Sequence, residues 1–318
     1  MKAVLSGNFV PFWSTENHLK TSLEELGVQV IALQENEVNA EKTLEICKRE
    51  NPDFFLWVRT WGIEGDAFAM LNSLLCPSVA YHLDLYAGLE RSKDVDTAPW
   101  WECDFVFSAD GGSDEWFKSH GVNHYWSPPG VLGKECVLED PVEEYKSEIL
   151  FTGSYGYHSE WAYRPMLIDK LRERYGNRFK LIEHGSPGAP WRGTKLNQLY
   201  SSAKVVVGDS CNVNPMFKHE KYWSDRVSEV SGRGGFLIHP YVKGLELCYE
   251  LEKEIVTYQY GDFFNLFNLI DFYLDHDDER EKIKLAAFER TKKEHCYTHR
   301  MQNVLDVVIH GKPNQFSK

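Results

Sequence analysis

Short apolar runs recur along the chain, and the stretches between them place apolar residues three and four apart. In the first part, "KAVLSG" (2–7), "VQVIAL" (28–33), "DFFLWV" (53–58), "SVAYHL" (78–83), "DFVFSA" (104–109) and the short "VNHYW" (122–126) predict strands. Between them, "TENHLKTSLEELG" sets Leu19, Leu23 and Leu26 on one helical face and stops at Gly27. "NAEKTLEICKREN" is closed by Pro52, and "GDAFAMLNSLL" and "DEWFKSHG" are further helices. The strand runs are apolar almost throughout instead of alternating, as in a parallel sheet covered on both faces.

The pattern then restarts. "SEILFTG" (147–153), "FKLIEHG" (179–185), "KVVVGD" (204–209), "GGFLIH" (234–239) and "KEIVTY" (253–258) predict strands. "EWAYRPMLIDKLRERYG", "TKLNQLYSSA" and "EKYWSDRVSEVSG" predict helices, and the last sixty residues read as helical throughout. Residues 127–146 carry three prolines, two glycines and five carboxylates and predict a linker. The expected fold is therefore α/β, with two Rossmann-like domains, 1–130 and 147–318, and a helical C-terminal tail.

Charge narrows the partners. A net charge of −13 argues against a general electrostatic grip on nucleic acid, though not against a local basic patch. Seven widely spaced cysteines without a CxxC predict buried free thiols and a cytoplasmic protein. The start "MKAVLSGNFVPFW" reads as a strand, not a signal peptide, and no run reaches the ~18 apolar residues of a membrane span.

Several phosphate and catalytic motifs are missing: no Walker loop, no G-x-G-x-x-G after a strand, no G-x-S-x-G. "FTGSYGYH" follows a strand, so backbone amides at Gly153 and Ser154 are candidate phosphate contacts. The D-x-D at Asp94–Asp96 lies in a charged loop and reads as a solvated turn; no metal ligands are expected. In "DRVSEVSGRGGFLIHP", Arg226 and Glu229 share a helical face. They are a surface ion pair or, beside Gly234 and Gly235, a ligand site. There a guanidinium neutralises a diphosphate and a carboxylate takes ribose hydroxyls.

This segment, continuing to Gly244-Leu245-Glu246, resembles the donor-site segment of group 1 glycosyltransferases of the GT-B fold. It is most similar to their CgeB-like branch of spore-maturation proteins, and the likeness extends to the turn His295-Cys296-Tyr297-Thr298-His299-Arg300. It spans roughly residues 147–305. The resemblance implies two parallel-sheet domains facing a cleft, the first carrying the acceptor. The second would carry a nucleotide-diphosphate sugar, UDP-linked, on Arg226, Glu229, Gly153, Ser154, His184, Gly234 and Gly235. It implies no cofactor and no metal. Retaining members often carry a second Glu eight residues before the ribose-binding one; Lys221 stands there, with Glu220 next to it, so the stereochemistry stays open.

For the catalytic base, "YHLDLYAGLER" puts His82 and Asp84 at a strand end, with Asp84 as the base or as the group orienting His82. His158 is a further second-domain candidate. Trp13, Trp57, Trp61, Trp100 and Trp101 suit a sugar face or a core. "HLDL" with "GLER" is similar to glycosyltransferase-like proteins of bacteriophages, which adds a modified DNA base to the possible acceptors, beside a glycan or a small molecule. The competing classes are a non-catalytic sugar-binding scaffold and a Rossmann oxidoreductase, the latter disfavoured by the missing fingerprint.

Overall fold

A computed structural model describes residues 1–156, 161–183, 185–210 and 220–316. The chain divides into two units, Met1–Pro128 with Tyr297–Lys318, and Pro129–Cys296.

The first unit is built on six parallel strands: β1 (Lys2–Gly7), β2 (Gln29–Gln34), β3 (Phe54–Trp57), β4 (Ser78–His82), β5 (Phe105–Ser108) and β6 (His124–Trp126). Their order is β2-β1-β3-β4-β5-β6. Successive residues face opposite sides, and both sides are buried, which is why the runs lack alternation. Val4, Phe55, Trp57, Ala80 and Val106 pack on one side with α2 (Ala40–Glu50), α3 (Ala67–Asn72), Trp100 and Trp101. Ala3, Leu5, Phe54, Leu56, Val79 and Phe107 pack on the other with α1 (Thr15–Glu25). A fourth helix, α4 (Asp114–Ser119), precedes β6. Helix starts follow capping chemistry: the Ser14 hydroxyl accepts the Asn17 amide at 3.2 Å, and Asn39 accepts that of Lys42 at 2.9 Å.

The second unit repeats the plan with β7 (Ser147–Thr152), β8 (Phe179–Ile182), β9 (Ala203–Val207), β10 (Leu237–Pro240) and β11 (Val256–Tyr258), all parallel, in the order β11-β10-β9-β7-β8. Its helices are α5 (Tyr163–Tyr175), α6 (Thr194–Ser202), α7 (Arg226–Gly232), α8 (Phe263–Asp275) and α9 (Asp277–Glu294). Acidic residues open α9 and Lys292 and Lys293 close it, matching the helix dipole.

Three features differ from the sequence expectation. The last helix, α10 (Tyr297–Val308), packs against the first sheet: Tyr297, Met301, Val304 and Leu305 join Ala3, Leu5 and Leu19. Arg300 inside it donates to the Pro128 carbonyl at 2.6 Å. Periodicity shows that a helix has an apolar face, not which sheet that face covers. The expected linker, in turn, is bound to the second unit, where the Asn197 amide donates to the carbonyls of Glu135 and Val137 at 2.9 and 3.1 Å. The third difference is α7, which starts at Arg226 and not near Glu220. Lys221 has φ +52°, and its amide is used by the Lys243 carbonyl at 2.7 Å.

Candidate functional site

In the second sheet the chain runs from β7 to β8 on one side and then crosses to β9 on the other. The gap between the carboxyl ends of β7 and β9 is therefore a topological switch point, where open α/β sheets take ligands. Arg226, the first residue of α7, reaches into it. Its Nε donates to the Thr152 carbonyl at the end of β7 at 2.7 Å, and Nη1 donates to the Asp209 carbonyl beyond β9 and to Ser224 Oγ, each at 3.1 Å. The guanidinium lies 5.4 Å from the centre of the Phe151 ring.

No carboxylate neutralises this cation among the described residues. The nearby carboxylate of Asp209 is occupied by Arg164 Nε at 2.8 Å, both side chains being buried. Arg226 is thus fixed by neutral carbonyls and keeps its charge, a half-buried site suited to an anion.

Gly153 has a different part from the expected one. Its amide is used by the Ile182 carbonyl at 2.9 Å and is not open to a phosphate. Its φ is +130°, and a Cβ there would overlap Nη2 of Arg226, so glycine is what lets the arginine pass. Ser154 follows, half-buried.

A buried chain of hydrogen bonds holds the start of α7. The Ser224 amide donates to Ser210 Oγ at 2.8 Å, Ser210 Oγ meets His239 Nε2 at 2.9 Å, and His239 Nδ1 meets the Pro240 carbonyl at 2.7 Å. A carbonyl only accepts, so the proton sits on Nδ1 and Ser210 donates to Nε2. Burial pushes the His239 pKa down to about 4, which keeps the ring neutral and the chain intact at neutral pH.

Glu229, one turn further along α7, does not pair with Arg226. Its Oε2 accepts Nε of Arg233, four residues on, and Arg233 also bonds Asn197 Oδ1 at 2.7 Å and Glu135 Oε2. Arg233 is 1 % exposed. Burial pushes the Glu229 carboxyl above its ordinary range, and the Arg233 charge opposes that. Its Oε1 has no partner among the described residues. Close by, Tyr200 and Thr152 share a hydroxyl hydrogen bond of 2.9 Å.

Gly234 and Gly235 also correct the expectation. Both are buried; the Gly235 amide donates to the Val230 carbonyl at 2.9 Å, and Gly234 has φ +77°. They stop α7 and turn the chain into the amino end of β10, the edge opposite the switch point. His184 and His158 lie outside the described residues.

In the first unit His82 ends β4, 5 % exposed, stacked on Trp101 with ring centroids 4.6 Å apart. Burial pushes its pKa down to about 3, and a neutral imidazole so hard to protonate is a poor base. Asp84 is 49 % exposed and pairs with Arg91 at 3.2 Å instead of orienting His82. Nearby, Ser108, His124 and Asp114 form a hydrogen-bonded series with two 2.7 Å links, but Ser108 is fully buried and no substrate reaches it. Trp57, Trp100 and Trp101 are core residues, whereas Trp61 is exposed. Asp94 and Asp96 fall in a 3-10 turn, Glu90–Asp96. Among the described residues no group of three or more His, Cys, Asp or Glu side chains is gathered to hold a metal ion. No helix among them is long and apolar enough to cross a membrane.

The residues missed from sequence are Arg233, Glu135, Asn197, Ser210 and His239. Only the i, i+4 spacing of Glu229 and Arg233 was available to find any of them. Comparison with known proteins places this geometry in context. Residues 164–306 match the family model described as glycosyl transferase-like. No curated protein matches the chain by sequence. Among solved structures, an alpha-glucosyltransferase in complex with UDP superposes with a TM-score of 0.68 at 11 % identity, covering 97 % of this chain and 100 % of that one. An alpha-glucosyltransferase in complex with UDP-glucose and DNA containing an abasic site gives 0.65 at 10 %, covering 97 % and 99 %. Anabaena Alr3699/HepE in complex with UDP and glucose gives 0.65 at 12 %, covering 98 % and 100 %. The two parallel sheets with their helices are the GT-B fold of these glycosyltransferases.

Proposed function

We propose that the protein is a glycosyltransferase that moves a sugar from UDP to a hydroxyl acceptor. The observation that carries this is Arg226, a cation held by strand-end carbonyls at the switch point of the second sheet and left without a carboxylate among the described residues. The neighbours seen with UDP and UDP-glucose support the same ligand. Arg226 takes the diphosphate and stabilises the charge that grows on it as the glycosidic bond breaks. Glu229, with Oε2 fixed by Arg233, offers Oε1 to the ribose hydroxyls. Asp84 takes the acceptor proton; with its side chain half exposed and paired with a single arginine, it is better suited than His82. Gly153 serves by making room for Arg226, and Ser154 lines the same strand end. A cationic side chain at the leaving group lets the transfer run without a metal. The six free cysteines among the described residues support a reducing cytoplasm.

The test is a thermal shift and calorimetric titration with UDP and UDP-glucose. Ligand raises the melting temperature of the parent. Arg226→Lys keeps the charge, loses the fork, and weakens binding by about 1.5–3 kcal/mol, the worth of a charge-assisted hydrogen bond. A parent that binds neither ligand, or a Lys variant that binds as the parent does, overturns the assignment.

A further inference from the structure

The first sheet has its own switch point, between β1 and β3, which lie side by side with β2 beyond β1. Two loops leave the carboxyl ends there, residues 8–14 after β1 and residues 58–62 after β3. Both expose large rings: Phe12 is 66 % exposed and Trp61 52 %. Phe12 stands edge-on to Trp13, with centroids 4.6 Å apart.

These rings do not hang on slack loops. Glu35, 0 % exposed, stands just past β2, and its Oε1 accepts the amides of Thr60, at 2.6 Å, and Trp61. The buried carboxylate of Glu16 accepts the Thr60 hydroxyl at 2.8 Å. In the other loop the Asn17 amide donates to the carbonyls of Phe9 and Pro11 at 3.0 and 2.9 Å, and Gln34 accepts the Phe9 amide at 2.8 Å. Glu35 and Glu16 thus brace the loop after β3, and Asn17 and Gln34 brace the loop after β1. Fixed loops that present aromatic rings to water at a switch point form a preorganised binding surface.

Charge decides the class of ligand. Residues 7–14, "GNFVPFWS", carry no charged side chain, and "VRTWGI" carries only Arg59, whose guanidinium lies 4.2 Å from the centre of the Trp100 ring. A nucleic acid needs a run of cations along its phosphates, and the chain as a whole is at −13. A neutral sugar ring needs an apolar platform for its C–H face. We infer that Phe12 and Trp61 are stacking positions for a saccharide, so that the acceptor of the proposed transfer is a glycan and not a nucleobase. This rests on the glycosyltransferase assignment for the word acceptor, and not for the binding itself.

The experiment titrates the protein, by tryptophan fluorescence and calorimetry, with neutral linear oligosaccharides of glucose, galactose and N-acetylglucosamine. Single-stranded DNA is titrated in parallel, and UDP separately. At least one saccharide series binds. Trp61→Ala and Phe12→Ala each weaken it about tenfold, the loss of roughly one ring stack, and Trp61→Phe restores most of it. UDP affinity and melting temperature stay at parental values in all three, since both positions are exposed. The inference is overturned if no saccharide binds, if saccharide binding ignores the variants, or if the variants instead abolish DNA binding or self-association. If UDP fails to bind the parent while a saccharide binds and is lost in Trp61→Ala, the donor assignment falls and the stacking site stands.

Discussion

The two sheets share a strand order around their first strand, yet their carboxyl edges are furnished with opposite charge. At the β7–β9 gap a guanidinium is held by carbonyl oxygens and keeps its charge. At the β1–β3 gap buried carboxylates are held by the amide hydrogens of Thr60 and Trp61 and by the Thr60 hydroxyl, and what meets the solvent is aromatic. The same backbone plan offers carbonyls and amides at both places; a half-buried arginine at one and two buried carboxylates at the other select which is used. One edge suits an anion, the other a neutral ring.

The largest blow to this contrast is at Arg233. Arg233→Met leaves Glu229 and Glu135 buried or half-buried without their cation, which costs about 3–5 kcal/mol. Denaturant unfolding reads the loss, and a change under about 1 kcal/mol shows that the ion pairs are solvated and that Glu229 is not held in place. Asp84→Asn sharpens the first-unit side. Transfer in single-turnover assays falls at least about a hundredfold while UDP binding survives, because a positioned base contributes ~10²–10⁴. Near-parental transfer removes Asp84 from the chemistry.

Acid tests one buried histidine in each unit. Burial pushes the pKa of His82 down to about 3 and that of His239 down to about 4, against about 6.5 for an unfolded histidine. As pH falls below about 6.5 the unfolded chain takes up protons that the folded chain refuses, so stability falls. The loss is about 1.4 kcal/mol per histidine per pH unit, reaching about 2 kcal/mol each at pH 5. Equal stability at pH 7 and pH 5 contradicts both placements; His239→Gln and His82→Gln assign the loss to one unit or the other. The smallest expected effect is that of chelation. With Arg226 supplying the charge at the leaving diphosphate, EDTA leaves the transfer rate unchanged, and a rate restored only by added divalent ion shows that Arg226 does not suffice.

Much of this architecture was legible in sequence because burial writes itself into apolar runs. Each expected strand is present, and Arg226 was singled out from its place before a strand. The contacts of Arg226 were not legible, since its partners are main-chain carbonyls at Thr152 and Asp209, and every residue type has one. Gly153 was noticed for the wrong atom: its amide is occupied, and its missing side chain is what matters. Gly234 and Gly235 were read as ligand-facing because a glycine cluster looks alike whether it admits a ligand or ends a helix. The pairing of Glu229 with Arg233 and not Arg226 turns on one residue of spacing, which helical geometry alone allows both ways.

The path of the chain has a consequence for biosynthesis. One face of the first sheet is completed by α10, whose Tyr297, Met301, Val304 and Leu305 are made after the whole of the second unit. Domains commonly fold in the order of their synthesis. Here the second unit, Pro129–Cys296, is complete while one face of the first sheet still has α1 but not α10 against it. The nascent chain therefore carries its earliest strands half-covered until α10 emerges, and released chains truncated at Cys296 are more protease-sensitive in residues 1–128 than in 129–296.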